Sequence, residues 1–137
     1  MNILFFLTPK ANCEFLNDDD TIRQAMERME QSGYTALAIL DREGRYCGTL
    51  TEGDILWALK RLCVMDLRQT EQHSIRQITP RRELKPVTVN TNVEQVLSVA
   101  CEQNFVPVVD DLGKFIGIVT RSTILKYCRE RYFAKEI

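Results

Sequence analysis

Histidine is nearly missing from this 137-residue chain: His73 is the only one, and it sits in a polar stretch. That removes His-based metal sites and argues against His-dependent catalytic triads. The five cysteines (Cys13, Cys47, Cys63, Cys101 and Cys128) are odd in number and their gaps match no metal-ligand spacing. Most lie in apolar patterns, where a reduced Cys behaves as a small hydrophobe. Excess charge is missing too, with 18 Lys and Arg against 19 Asp and Glu, so no global field draws in nucleic acid or an anionic membrane. Arg81-Arg82 and Lys126/Arg129/Arg131 are small basic clusters that read as solvated surface. No apolar run approaches the length of a bilayer span, and the apolar start from Met1 to Leu7 lacks the basic region and cleavage site of a signal peptide. The expected compartment is the cytoplasm. There is no Gly-rich phosphate loop and no nucleophile–base pair at recognisable spacing, so catalysis is not expected.

What is present is a duplication. Gly48-Thr49-Leu50-Thr51-Glu52-Gly53-Asp54-Ile55-Leu56 is an apolar strand running into a Thr, with an Asp one turn into a helix. Gly117-Ile118-Val119-Thr120-Arg121-Ser122-Thr123-Ile124-Leu125 repeats it, with Thr123 where Asp54 stood. With 45% hydrophobic and 27% charged residues the composition is that of a folded chain, and its length suits one domain or two small units sharing a core.

The flanking sequence repeats in the same order. Repeat one begins near Leu7-Thr8-Pro9-Lys10, with a short strand around Glu14 to Leu16. Asp18-Asp19-Asp20 leads into a helix whose apolar face is Ile22, Ala25, Met26 and Met29; the carboxylates are expected to cap it rather than hold a cation. Gly33 ends that helix, Ala36 to Leu40 is a buried strand, Asp41 to Gly44 a turn, and Tyr46 to Leu50 the returning strand. A second helix follows from Thr51 to about Val64, with Ile55, Ala58, Leu59 and Leu62 inward. In repeat two, Thr79-Pro80 echoes Thr8-Pro9, Pro86 to Val89 is a strand, and Thr91 with Glu94 forms a capping box. Val93, Val96, Leu97 and Ala100 form the helix face, closed by Asn104. Val106 to Val109 and Phe115 to Val119 are the strands, and Ile124, Tyr127, Cys128 and Arg131 face inward. The reading is an α+β protein of two β-α-β-β-α units, residues 1–64 and 79–137, joined by a polar linker over 65–78 in which residues 74–78 form a helical turn.

Thr51 and Asp54 carry the first chemical hypothesis. A ribose offers two adjacent hydroxyls, and one carboxylate can accept from both. Asp54, one turn into a helix, is expected to point its carboxylate outward. Thr51 adds a hydroxyl and free helix N-terminal N–H groups suited to phosphate oxygens. The same Thr-x-x-Asp spacing is also that of a plain helix cap.

Both halves together, with their aligned turn, Gly, Thr and helix face, resemble a tandem pair of cystathionine β-synthase (CBS) domains from about Leu7 to Cys128. The resemblance implies two intertwined units on a pseudo-twofold, forming a Bateman module. It further implies a non-catalytic, regulatory role: binding AMP, ADP, ATP or S-adenosylmethionine, modulating an effector protein, and pairing as a homodimer. By resemblance, Ala11-Asn12-Cys13 and Tyr34-Thr35-Ala36 would wall the base, and Arg121 would meet the phosphates. Thr120 and Thr123 would form a second, degraded pocket, because Thr123 lacks the carboxylate and the loop at Asn104-Phe105-Val106 is two residues shorter. No metal or resident cofactor is expected. The alternative reading is a ligand-free scaffold or dimerisation module, for which Leu56, Trp57 and Cys63 lie partly off the inner stripe of their helix; Trp57 is equally a core residue by pattern.

Overall fold

The computed structural model describes residues 2–80 and 83–133. Arg81-Arg82 thus lies outside the described residues. In chain order the elements are β1 (Thr8–Pro9), β2 (Phe15–Asn17), α1 (Ile22–Ser32), β3 (Ala36–Leu40), β4 (Tyr46–Thr51) and α2 (Glu52–Arg61). Then come β5 (Val87–Thr88), α3 (Val93–Ala100), β6 (Phe105–Val109), β7 (Phe115–Thr120) and α4 (Arg121–Tyr132). Short 3-10 turns lie at Ile3–Phe6, Lys10–Asn12, Arg68–Gln72 and Ile75–Gln77.

The compact units cut across the sequence repeats. One is continuous, Glu14–Leu84; the other joins Met1–Cys13 to Lys85–Ile137. The physical reason is strand pairing: β1, at the head of repeat one, pairs antiparallel with β7 of repeat two through Thr8–Ile118 and Pro9–Gly117. Residues read as a linker, Ile75 and Ile78 among them, are buried with repeat one's core.

In the continuous unit the sheet runs β2-β3-β4. The parallel β2–β3 pair is bridged by α1, and the antiparallel β3–β4 pair by a turn in which Asp41 Oδ1 accepts the N–H groups of Glu43 and Arg45. Ile22, Ala25 and Met29 of α1 and Ile55 and Ala58 of α2 are buried with Leu16, Leu37 and Leu50, while Met26, Leu59 and Leu62 pack at the edge. Each fully buried Leu or Ile contributes about 1.5–3 kcal/mol. The cap of α1 is not the acidic triplet. Thr21 accepts from Gln24 N–H at 3.1 Å and Gln24 accepts from Thr21 N–H at 2.8 Å. Asp20 is used one step earlier, accepting Asn17 N–H at 2.9 Å, and Asp18 pairs with Arg76.

In the discontinuous unit the order is β1-β7-β6-β5, over a core of Ile3, Phe6, Val87, Val96, Ala100, Val106, Val108, Val119 and Ile124. The cap of α3 is Asn92, accepting from Gln95 N–H, whereas Thr91 accepts from Thr88 N–H in the preceding turn. Leu97, expected inward, is 39% exposed. The missing residues of repeat two come out of the helix, not the loop: α3 has 8 residues against 11 in α1. The chain then leaves α3 through Cys101 in right-handed geometry, so Asn104 is not its cap.

Candidate functional site

Thr51 ends β4 opposite Ala36 and is the N-cap of α2. Its hydroxyl accepts Asp54 N–H at 3.0 Å, and Asp54 Oδ2 accepts Thr51 N–H at 3.0 Å. Asp54 is therefore not pointed outward. It folds back over the helix start and is 2% exposed, while Thr51 is half-buried. The next free helix donor, Glu52 N–H, is taken by Thr35 O at 3.0 Å. Tyr34 stands just before, 46% exposed, with its N–H held by Ser32 Oγ at 3.2 Å. Five of the sequence-derived positions, Tyr34, Thr35, Ala36, Thr51 and Asp54, thus meet at one strand-to-helix junction of the continuous unit. Ser32 was missed as the support of Tyr34; its place immediately before the helix-ending Gly33 was the available signal.

The remaining positions belong to the discontinuous unit. Ala11 and Asn12 are exposed on the 3-10 turn Lys10–Asn12. Cys13 is half-buried, with its thiol donating to Pro9 O at 3.4 Å and Thr8 O at 3.5 Å. Burial pushes that thiol above its usual range, partly offset by a hydrogen bond from the Ile118 backbone. Arg121 does more than sit on the surface: its Nε donates to Ala100 O at 3.0 Å at the end of α3. It also lines a recess of about 430 Å³ along α4, with Ser122, Leu125, Lys126 and Arg129.

Thr120 and Thr123 repeat the junction incompletely. Thr120 Oγ1 accepts Thr123 N–H at 3.1 Å, as in repeat one, but the Thr123 hydroxyl meets the Thr120 hydroxyl at 2.8 Å instead of capping Thr120 N–H. Arg121 N–H is accepted by Asn104 O, the counterpart of Glu52 N–H on Thr35 O. By this register the residues matching Tyr34-Thr35-Ala36 are Gln103-Asn104-Phe105, and the aromatic lip is absent there. Of the two junctions, only that of repeat one has an exposed aromatic ring beside it and a buried carboxylate within it.

A family model described as the CBS domain matches residues 7–61 and again 75–130. The chain belongs to the CBS domain family. Among solved structures, a CBS domain protein from Streptococcus pneumoniae is 28% identical, with TM-score 0.83, over 93% of this chain and 86% of its own. CbpB from Listeria monocytogenes in complex with c-di-AMP is 20% identical, with TM-score 0.83, over 93% and 95%. CBSX2 in complex with AMP is 23% identical, with TM-score 0.74, over 94% and 96%. An uncharacterized 17.7 kDa protein of Acidianus ambivalens is 28% identical over 102 residues, 73% of this chain. The chain spans 57% of that curated relative's length. Both CBS matches follow the sequence repeats, whereas β1 lies in repeat one by sequence and in the compact unit of repeat two by pairing.

Proposed function

We propose that this CBS pair is a non-catalytic regulatory module that binds an adenosine-containing nucleotide at the repeat-one junction and modulates a separate effector protein. The observation that carries the reading is the cluster of Thr51, Asp54, Tyr34 and Thr35, in a family whose structural neighbours include one holding AMP and one holding c-di-AMP. A carboxylate has about four acceptor sites, so ribose hydroxyls can join the cap on Thr51. Because Asp54 is 2% exposed, reaching it requires local displacement at the junction. That links ligand binding to a change of shape, which is what a regulator needs. Tyr34 offers its ring to the base. The module works in the cytoplasm as a homodimer.

The test is isothermal titration of AMP, ATP, c-di-AMP and S-adenosylmethionine into the whole chain and into Asp54→Asn and Tyr34→Ala. Saturable binding, weakened at least about tenfold by Asp54→Asn, supports the reading; a tenfold loss is 1.4 kcal/mol of ligand contact. No heat and no thermal shift with any of the four overturns it. The second reading, a ligand-free dimerisation module, draws on Leu56 and Trp57, which are 57% and 38% exposed on α2.

A further inference from the structure

The two halves of the duplication differ at one place that neither the nucleotide site nor the core accounts for. In the discontinuous unit a recess of about 500 Å³ lies between the opening 3-10 turn and the end of α4, lined by Phe5, Tyr127, Glu130, Arg131 and Tyr132. Counted from Thr51 and Thr120, Tyr127 stands where repeat one has Ala58, and Tyr132 where it has Cys63. Counted from Thr8 and Thr79, Phe5 stands where the other copy has Arg76. Three aromatic rings thus converge here, and the matching positions of the other copy hold none. The core does not need all of them. Phe6, 4% exposed, and half-buried Tyr127 close it, meeting edge to face at 5.1 Å. Phe5 and Tyr132 stand outside it, 66% and 62% exposed, with Phe5 edge to face on Tyr127 at 5.5 Å. Aromatic rings around a recess of this size, with one acid and one base among them, are the make-up of a small-molecule site.

The chemistry of the lining narrows the ligand. Aromatic ring faces attract cations, and the Arg131 guanidinium already stands over Tyr132, 5.9 Å from the ring centroid. Glu130 adds a carboxylate that makes no ion pair among the described residues. A guanidinium has five N–H donors, so Arg131 stacked on a ring still has an edge to offer a carboxylate. The charges of Glu130 and Arg131 cancel, so a net cation would be opposed by one and a net anion by the other. A zwitterion meets both. Methyl groups on its ammonium suit the rings, which offer apolar contact together with a negative face.

We propose that this recess binds a small zwitterion with a methylated ammonium at one end and a carboxylate at the other, the betaine class. The ammonium rests against Phe5, Tyr127 and Tyr132 beside Glu130, and the carboxylate meets Arg131. All five residues belong to the discontinuous unit, so the site is separate from the repeat-one junction and independent of nucleotide binding.

Glycine betaine titrated into the whole chain, followed by two-dimensional amide NMR, tests it. Local peak movement is the readout, because an osmolyte also stabilises folded proteins generally by exclusion from their surface. Peaks of Phe5 and of residues 127–132 should move saturably, with affinity weakened at least about tenfold by Tyr132→Leu and by Glu130→Gln. Free glycine, which has the same charges without the methyl groups, should bind at least about tenfold more weakly. Tyr132 is exposed, so its replacement spares the core; if the spectrum nevertheless changes throughout the unit, Glu130→Gln decides. No saturable movement up to about 100 mM betaine overturns the proposal. So does free glycine binding as tightly as betaine, or betaine affinity unchanged in Glu130→Gln.

Discussion

Thr51 and Asp54 each accept the other's backbone N–H at 3.0 Å, so the residue expected to reach for a ligand is at rest a structural cap. The two roles are separable by chemistry. Asp54→Ala removes the acceptor for Thr51 N–H and should cost about 1–2 kcal/mol, as loss of a helix cap does. Asp54→Asn keeps one acceptor oxygen for Thr51 N–H and replaces the other oxygen and the charge by an NH2 group. Thermal denaturation should therefore rank wild type, then Asn, then Ala. Nucleotide titration should show both variants weakened.

Thr123→Asp asks the converse. The Thr120 hydroxyl already accepts Thr123 N–H, and a carboxylate at 123 would supply the return bond to Thr120 N–H. Stability should rise by about 0.5–1.5 kcal/mol. Chemical denaturation that shows no gain would mean that the Thr120–Thr123 hydroxyl contact at 2.8 Å already does this work.

The two edge glycines should respond unequally to alanine. At Gly117 the added Cβ meets the backbone of Thr8, which cannot yield without unpairing β1 from β7, and a loss of about 3 kcal/mol is expected. At Gly48 nothing among the described residues lies within 4 Å of the added Cβ, and the positive φ is penalised by about 1–2 kcal/mol. Urea midpoints compared at constant slope measure the difference.

Most of this architecture was legible beforehand because helix period and turn chemistry are local. Ile22, Ala25 and Met29 are buried as their spacing predicts, and the turn at Asp41 closes β3 onto β4. Cap identity was less legible, since Thr21 and Asp20 are adjacent and both can accept a backbone N–H; only the fold shows Asp20 spent on Asn17. The partner of β1 was not legible at all, because a two-residue strand carries no period and its pairing is set by residues far along the chain. At the candidate site, Thr51 was legible in the strand-to-helix pattern, whereas Tyr34, Thr35 and Ala36 came only with the family resemblance. The inward turn of Asp54 was not, because one spacing serves both a cap and a ligand contact.

Tyr46 gives a pH prediction. Burial pushes its phenol above the usual range, opposed by the hydrogen bond with Thr49 and reinforced by the charge of Glu83. A raised folded-state pKa means the folded chain holds this proton more tightly, so the stabilisation is intact below the unfolded value of about 10 and is lost as pH climbs through the folded one. The hydroxyl donates to Leu84 O and, having one proton, takes Thr49 Oγ1 as its donor. Tyr46→Phe should cost about 1 kcal/mol at neutral pH and flatten the alkaline limb of the stability curve. Denaturant titrations between neutral pH and pH 11 check both.

The pairing of Thr8 with Ile118 also bears on the order in which the molecule assembles. On the ribosome, residues 14–84 form a continuous stretch and have all of their own sheet and core as soon as Leu84 has emerged. The segment with β1 emerges before them yet must wait, unpaired, until β7 follows. Its anchors Ile3 and Phe6, buried in the folded unit, stay uncovered through that interval, so these apolar residues emerge before residues 14–84 and are covered after them.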